Sequence, residues 1–149
     1  MIRLPPPVVT FAFATLAWAM ARQWPDYRFD LPLQKLIASL LAISGLGLAL
    51  IAVREFARIQ TTVNPIHIEK ATALATGGPF SFSRNPMYLG MLLVLVGVCV
   101  WLGSVPGLVA PLLYAGYITW FQIIPEERVM RRKFGDVFTD YAARTRRWF

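Results

Sequence analysis

The sequence predicts an all-α integral membrane protein with about four transmembrane helices, and three observations carry that expectation. The 149-residue chain is 56% hydrophobic and only 15% charged, and its mean hydropathy of +0.52 lies well above that of a soluble domain. Its charges are bunched rather than spread: Leu36 to Val53 carries none over 18 positions. From Asn85 to Pro125 there is no Asp, Glu, Lys, Arg or His over 41 positions. A spanning helix needs about 20 apolar residues, so this second run is two spans long. The length suits one domain covering residues 1–149.

The elements follow in chain order. PPPVVTFAFATLAWAMA, after Arg3, has the apolar stretch of a signal peptide, with Ala17, Ala19 and Ala21 as a small-residue cleavage pattern. Its prolines equally suit the first turn of a helix, where a missing N–H costs nothing, and we read residues 5–22 as a first span. The second covers residues 34–53. Its SGLGLAL looks like part of a nucleotide-binding glycine motif but has no preceding strand and no third glycine. Ala38, Ala42, Gly45 and Ala49 instead form a small-residue face that lets helices approach closely. A loop over 54–86 leads to a helical hairpin over about 87–124, with spans at 87–103 and 107–124. GSVPG, Gly103 to Gly107, marks its turn. In the tail, 125–149, Met130, Phe134, Val137, Phe138, Tyr141 and Trp148 recur at near-helical spacing between basic residues. That pattern predicts an amphipathic interfacial helix, weakened or bent at Gly135, with a plain membrane anchor as the simplest use and a lid over the loop as the other.

Charge sets the orientation. Arg54, Arg58, Lys70 and Arg84 in the loop and Arg128, Arg131, Arg132, Lys133, Arg144, Arg146 and Arg147 in the tail are 11 of the 15 basic residues. An even number of spans puts both segments on one face, which the positive-inside rule makes cytoplasmic. The expected location is an inner or plasma membrane of bacterial type, with both termini and the site cytoplasmic. Topology and anionic headgroups then account for the net charge of +7, and nucleic acid is not an expected partner. One Cys, Cys99, and one His, His67, supply no metal ligand set. Cys99 reads as a buried apolar group, and His67 as loop surface.

Candidate site residues gather where polar sequence meets the apolar runs. GGPFSFSRNPMYLG, Gly77 to Gly90, sets a glycine pair, two prolines, an arginine and an asparagine against a span. The hairpin returns the chain to the face it left, so Arg84 and Asn85 before it become neighbours of Glu126 and Glu127 after it. A simple ion-pair clasp explains each of these residues taken alone. Together they offer more: a loop at Gly77, Gly78 and Pro79 that a ligand approaches closely, a guanidinium fork at Arg84 for a carboxylate, and the amide of Asn85 and hydroxyl of Tyr88. Glu126 and Glu127 would hold an ammonium or a ribose.

These residues resemble a family. GGPFSFSRNPMYLG is similar to the G-P-[FY]-x-x-x-R-[HN]-P-x-Y-x-G stretch of the isoprenylcysteine carboxyl methyltransferase and phospholipid methyltransferase families. PEERVMRRKFGDVFTDYAARTRRW resembles their closing pattern of two glutamates, F-G-x-x-[FY]-x-x-Y and a terminal R-W, and TTVNP, Thr61 to Pro65, their approach to the loop. The likeness covers about residues 61–148. It implies a membrane enzyme taking a methyl group from S-adenosylmethionine, leaving S-adenosylhomocysteine, with a lipophilic substrate arriving through the lipid bilayer. Carried over, the cofactor site draws on Gly78, Pro79, Arg84, Asn85, Pro86, Tyr88, Glu126, Glu127 and Tyr141, with Arg84, Glu127 and Glu126 at the chemistry. Arg146 and Trp148 support it from the substrate side. Many members have histidine where this chain has Asn85, which cannot take a proton near neutral pH. A carboxylate acceptor needs no base, whereas an amine does, so the expected reaction is most like isoprenylcysteine carboxyl O-methylation, with phospholipid amine N-methylation as the alternative. A small four-span transporter or channel, or an assembly factor retaining only the fold, are the readings from other classes.

Overall fold

The structure, a computed structural model, describes residues 4–59 and 73–149. The Thr61–Pro65 motif, His67 and Lys70 lie outside the described residues. Among the described residues the chain is helical throughout, with only isolated bridges and no strand. Helix α1 covers Pro6–Gln23, α2 Gln34–Arg58, α3 Pro86–Leu102, α4 Val109–Ile118, α5 Ile124–Phe134 and α6 Asp136–Arg144.

Helices α2 and α3 run antiparallel and form the most extensive seam. A Cβ on Gly97 would sit 2.8 Å from the Ala38 carbonyl and 3.0 Å from the Ala42 amide. One on Gly90 would strike the Gly45 carbonyl and come within 2.8 Å of the Ala49 amide. The small residues of α2 therefore meet the glycines of α3, and the two backbones touch. At the far end Gly103 ends α3 with φ 60°, a conformation that glycine adopts without a Cβ penalty. There the Phe29 amide donates to the Gly103 carbonyl (2.9 Å), and the Gln34 side chain donates to the Val100 carbonyl (2.8 Å). Cys99 is fully buried and its thiol donates to the Gly107 carbonyl (3.3 Å). Helix α1 fills the remaining side: Val9 shares a core cluster with Tyr88, Leu95, Tyr114, Ile118 and Ile123, and Ala17 packs on Cys99 and Ala110.

The last long element continues further than the sequence suggests. Helix α4 passes through a π turn, Thr119–Ile123, directly into α5, making one rod over Pro106–Phe134. The cause is Pro125, which lacks an N–H and whose ring would strike the carbonyl four residues earlier in a regular helix. The Ile124 amide reaches back five residues to the Thr119 carbonyl, and this widened turn accommodates the proline without ending the helix. The break comes at Gly135, φ 53° and ψ −126°, so the tail is two helices, α5 and α6, rather than one.

Among the described residues, two elements are long and apolar enough to cross a membrane: α2, at mean hydropathy 2.5, and the rod, at 1.4. The apolar windows of these two are only 22% and 39% buried, whereas the core helix of a soluble protein hides most of its surface. Helix α3 is a shorter apolar helix of 17 residues, and α1 falls outside this measure. Phe11, Leu40, Ile43, Leu46, Leu50, Leu112 and Leu113 face outward. Exposed aromatics mark both ends, Trp18, Trp24, Tyr27 and Trp101 at one and Trp120 and Phe121 towards the other, as in an interfacial belt. The chain is a helical membrane protein.

The seam yields a prediction. Gly90→Ala should lower the stability of the detergent-purified protein by about 1–3 kcal/mol. Gly116→Ala, where a Cβ meets nothing within 4 Å, should leave it unchanged or raise it by up to about 1 kcal/mol. Equal melting temperatures for the two variants would contradict the backbone contact.

Candidate functional site

The residues ahead of α3 and those after the membrane-crossing part of the rod meet at one end of the bundle. A 3-10 turn over Gly78–Ser81 buries Pro79 and Phe80, and the Phe80 ring packs edge-on against Phe56 at 4.9 Å. Gly78 has φ 54°, and the backbone of this glycine pair passes beside the Glu55 carboxylate, itself paired with Arg58. Pro86 opens α3, with Asn85 as the residue before it.

Arg84 leaves this loop and joins three segments. Its Nη2 donates to Glu127 Oε1 (2.8 Å) and its Nε to the same oxygen (3.2 Å). Its Nη1 donates to the carbonyls of Ala142 (2.8 Å) and Thr145 (2.6 Å), which satisfies the otherwise unpaired C-terminal end of α6. Glu127 is held from the other side by Arg147, with Nε on Oε1 at 3.0 Å and Nη2 on Oε2 at 2.7 Å. The hydrogen bond to Glu127 raises the Arg147 guanidinium above its ordinary pKa. Only 13% of the Arg84 side chain and 17% of Glu127 are exposed, so these contacts operate largely out of water, where charge-assisted bonds are strong.

The tail is fastened to the loop by backbone as well. Ser83 and Arg146 form a parallel bridge, and the Arg84 amide donates to the Arg146 carbonyl (2.9 Å). Asn85 Nδ2 donates to the Arg147 carbonyl (2.9 Å). Tyr141 is buried and its hydroxyl donates to the Phe80 carbonyl (2.7 Å); burial pushes its phenol pKa up, with Arg84 opposing.

A second group of polar side chains faces the core. The Tyr88 hydroxyl donates to Glu126 Oε1 (2.7 Å). The Trp148 indole packs against the cluster around Tyr88 and Ile123, and its N–H donates to Thr119 Oγ1 (3.2 Å). Gln122, one turn before Glu126, donates from Nε2 to the Leu4 carbonyl (2.9 Å). Arg146 projects outward and is exposed.

All the residues singled out from the sequence therefore lie on the elements that converge at this end, but they do different things. Arg84, Asn85, Glu127 and Tyr141 make internal contacts to loop, rod and tail, while Glu126, Tyr88 and Trp148 line the core side. Sequence reasoning missed Arg147, Thr119 and Gln122. Gln122 carried a signal: it is the one side-chain amide in the 41-residue uncharged run after Asn85.

The profile of the phospholipid methyltransferase family matches residues 33–137. The chain belongs to the phospholipid methyltransferase family. An uncharacterized protein of Haemophilus influenzae is 37% identical over 62 residues, which cover 42% of this chain and 98% of that protein. No solved structure matches the chain. As a phospholipid methyltransferase family member the chain is a membrane methyltransferase, and its reaction requires a methyl donor.

The Glu126 carboxylate and Asn85 Oδ1, which accepts no hydrogen bond among the described residues, suit ammonium and hydroxyl groups. Arg146 suits a carboxylate, and the Trp148 ring suits a flat base.

Removing Arg84 strips Glu127 and two carbonyls at once, so Arg84→Ala should destabilise the protein by about 3 kcal/mol. Arg84→Lys should recover only part of that, because an ammonium does not span all three acceptors. Arg147, 39% exposed, should cost about 1 kcal/mol on replacement by Ala. Thermal melts in detergent that rank Arg147→Ala level with Arg84→Ala would refute this division.

Proposed function

We propose that this family member transfers a methyl group from S-adenosylmethionine to a lipophilic acceptor at the polar end of the bundle. The observation that supports this most directly is the Tyr88–Glu126 contact, a carboxylate held at the core edge where apolar surface and polar loop meet. S-adenosylmethionine supplies an electrophilic methyl group on a sulfonium. The chain's task is chiefly alignment, which lowers such barriers by several kcal/mol, on the order of 7 or more in favourable cases.

In this reading Glu126, Asn85 and Arg146 contact the methyl donor, with the Gly77–Gly78–Pro79 turn close by. Arg84 and Glu127 are positioning residues: their hydrogen bonds go to each other, to Arg147 and to the end of α6. Four membrane spans, with this end on the cytoplasmic side, are part of the same proposal. The surplus of basic residues in the loop and tail supports it.

Two acceptors remain in view, a prenylated cysteine carboxylate and a phospholipid amine. The buried Gln122 Oε1, one turn from Glu126, is a hydrogen-bond acceptor, which favours an amine headgroup carrying N–H donors. Glu126 would take the proton that an ammonium must lose before its nitrogen is nucleophilic, which meets the need left by asparagine at position 85.

Purified protein in vesicles of phosphatidylethanolamine and phosphatidylglycerol, supplied with methyl-labelled S-adenosylmethionine, should yield labelled N-methyl phospholipid. N-acetyl-S-farnesylcysteine should be the poorer acceptor. Glu126→Gln should weaken S-adenosylmethionine binding by about tenfold in calorimetry, the loss expected for one charge-assisted hydrogen bond, while the melting temperature stays within a few degrees. Cofactor affinity unchanged in the folded variant would overturn the assignment of Glu126.

A further inference from the structure

One buried polar atom in the rod stands apart. Gln122 is 1% exposed, and its Oε1 has no hydrogen-bond partner among the described residues. The amide orientation is fixed by chemistry: the Leu4 carbonyl only accepts, so Nε2 must face it, and Oε1 is left on the other side. A buried acceptor without a donor is costly, and natural proteins rarely retain one without a use. Its position is also informative. Gln122 stands in the π turn, a distortion frequent at functional sites, one turn from Glu126. The start of α1 reaches it through Leu4, and its neighbours on the rod, Thr119, Ile123 and Glu126, meet Trp148 and Tyr88. Polar side chains inside a membrane-spanning segment are rare and mark sites of ligand contact.

We propose that Gln122 contacts the methyl acceptor, with Oε1 accepting a hydrogen bond from an N–H of the lipid headgroup. This inference rests on the methyltransferase reading. It adds a specificity-determining residue within the apolar span: a headgroup whose reacting atom itself carries an N–H satisfies Gln122, and a carboxylate at that place leaves it unpaired. The Leu4 carbonyl, by holding Nε2, keeps the amide turned so that its oxygen is the free end.

The test compares wild type, Gln122→Met and Gln122→Glu in vesicles of phosphatidylethanolamine and phosphatidylglycerol with labelled S-adenosylmethionine. Methionine retains the length without either polar atom. A neutral glutamic acid keeps both functions, an O–H for the Leu4 carbonyl and a carbonyl oxygen in place of Oε1. Gln122→Met should raise KM for phosphatidylethanolamine about tenfold and leave KM for S-adenosylmethionine unchanged, whereas Gln122→Glu should stay within about threefold of wild type. Three results would overturn the inference: an unchanged phosphatidylethanolamine KM in Gln122→Met, a change confined to the methyl donor, or an equal loss in both variants. If wild type binds S-adenosylmethionine but transfers no methyl group to any vesicle lipid, the reaction assigned above fails and this inference falls with it. Transfer by wild type with no effect of Gln122→Met removes the inference alone.

Discussion

The carboxylate of Glu127 lies between two guanidinium groups, and the arrangement at this end of the bundle depends on it. Arg84 comes from the loop before α3, Glu127 from the rod and Arg147 from the tail. Without the anion, two like charges would face each other in a largely dry setting and repel. With it, the remaining donors of Arg84 are held where they reach the last carbonyls of α6. The position of the tail is thus tied to a charge on the rod, and Tyr141 and the Ser83–Arg146 bridge add bonds once that position is set.

The rest of the bundle supplies the rigid frame against which this end is built. The α2–α3 seam leaves the two backbones no room to slide, because the Gly90 and Gly97 positions admit no side chain. The far end is closed by neutral backbone bonds at Gly103 and by Gln34, and the ion pairs seen among the described residues lie at the other. A reaction that depends on alignment gains from such an asymmetry: the frame fixes angles, and the polar end carries the groups that meet ligands.

Much of this was legible in the sequence, for simple reasons. Two apolar runs of matching length around a Gly-Ser-Val-Pro-Gly turn require the chain to double back, and Arg84 beside Glu127 follows from that. The small-residue face of α2 was visible because its spacing is helical, and the structure sets Ala38, Ala42, Gly45 and Ala49 against α3. Arg147 stands in the terminal R-W pair, but its pairing with Glu127 was not legible, because three tail arginines look alike until α6 is known to end at Arg144 and the chain to extend at Thr145. The continuity of the rod was hidden by Pro125, which in sequence reads as a stop. Gln122 was overlooked because hydropathy averages over a window and hides a single amide.

The π turn has a further consequence for how such a chain evolves. One residue added to or taken from a helix rotates everything beyond it by about 100°. The widened turn at Thr119–Ile123 therefore sets the azimuth of the two acids that follow. Restoring regular winding there would swing Glu126 and Glu127 away from Tyr88 and Arg84, with no change in either acid. Insertions and deletions in this stretch should be tolerated only in whole-turn steps, so the phase of the rod constrains descent as firmly as the identity of any residue on it.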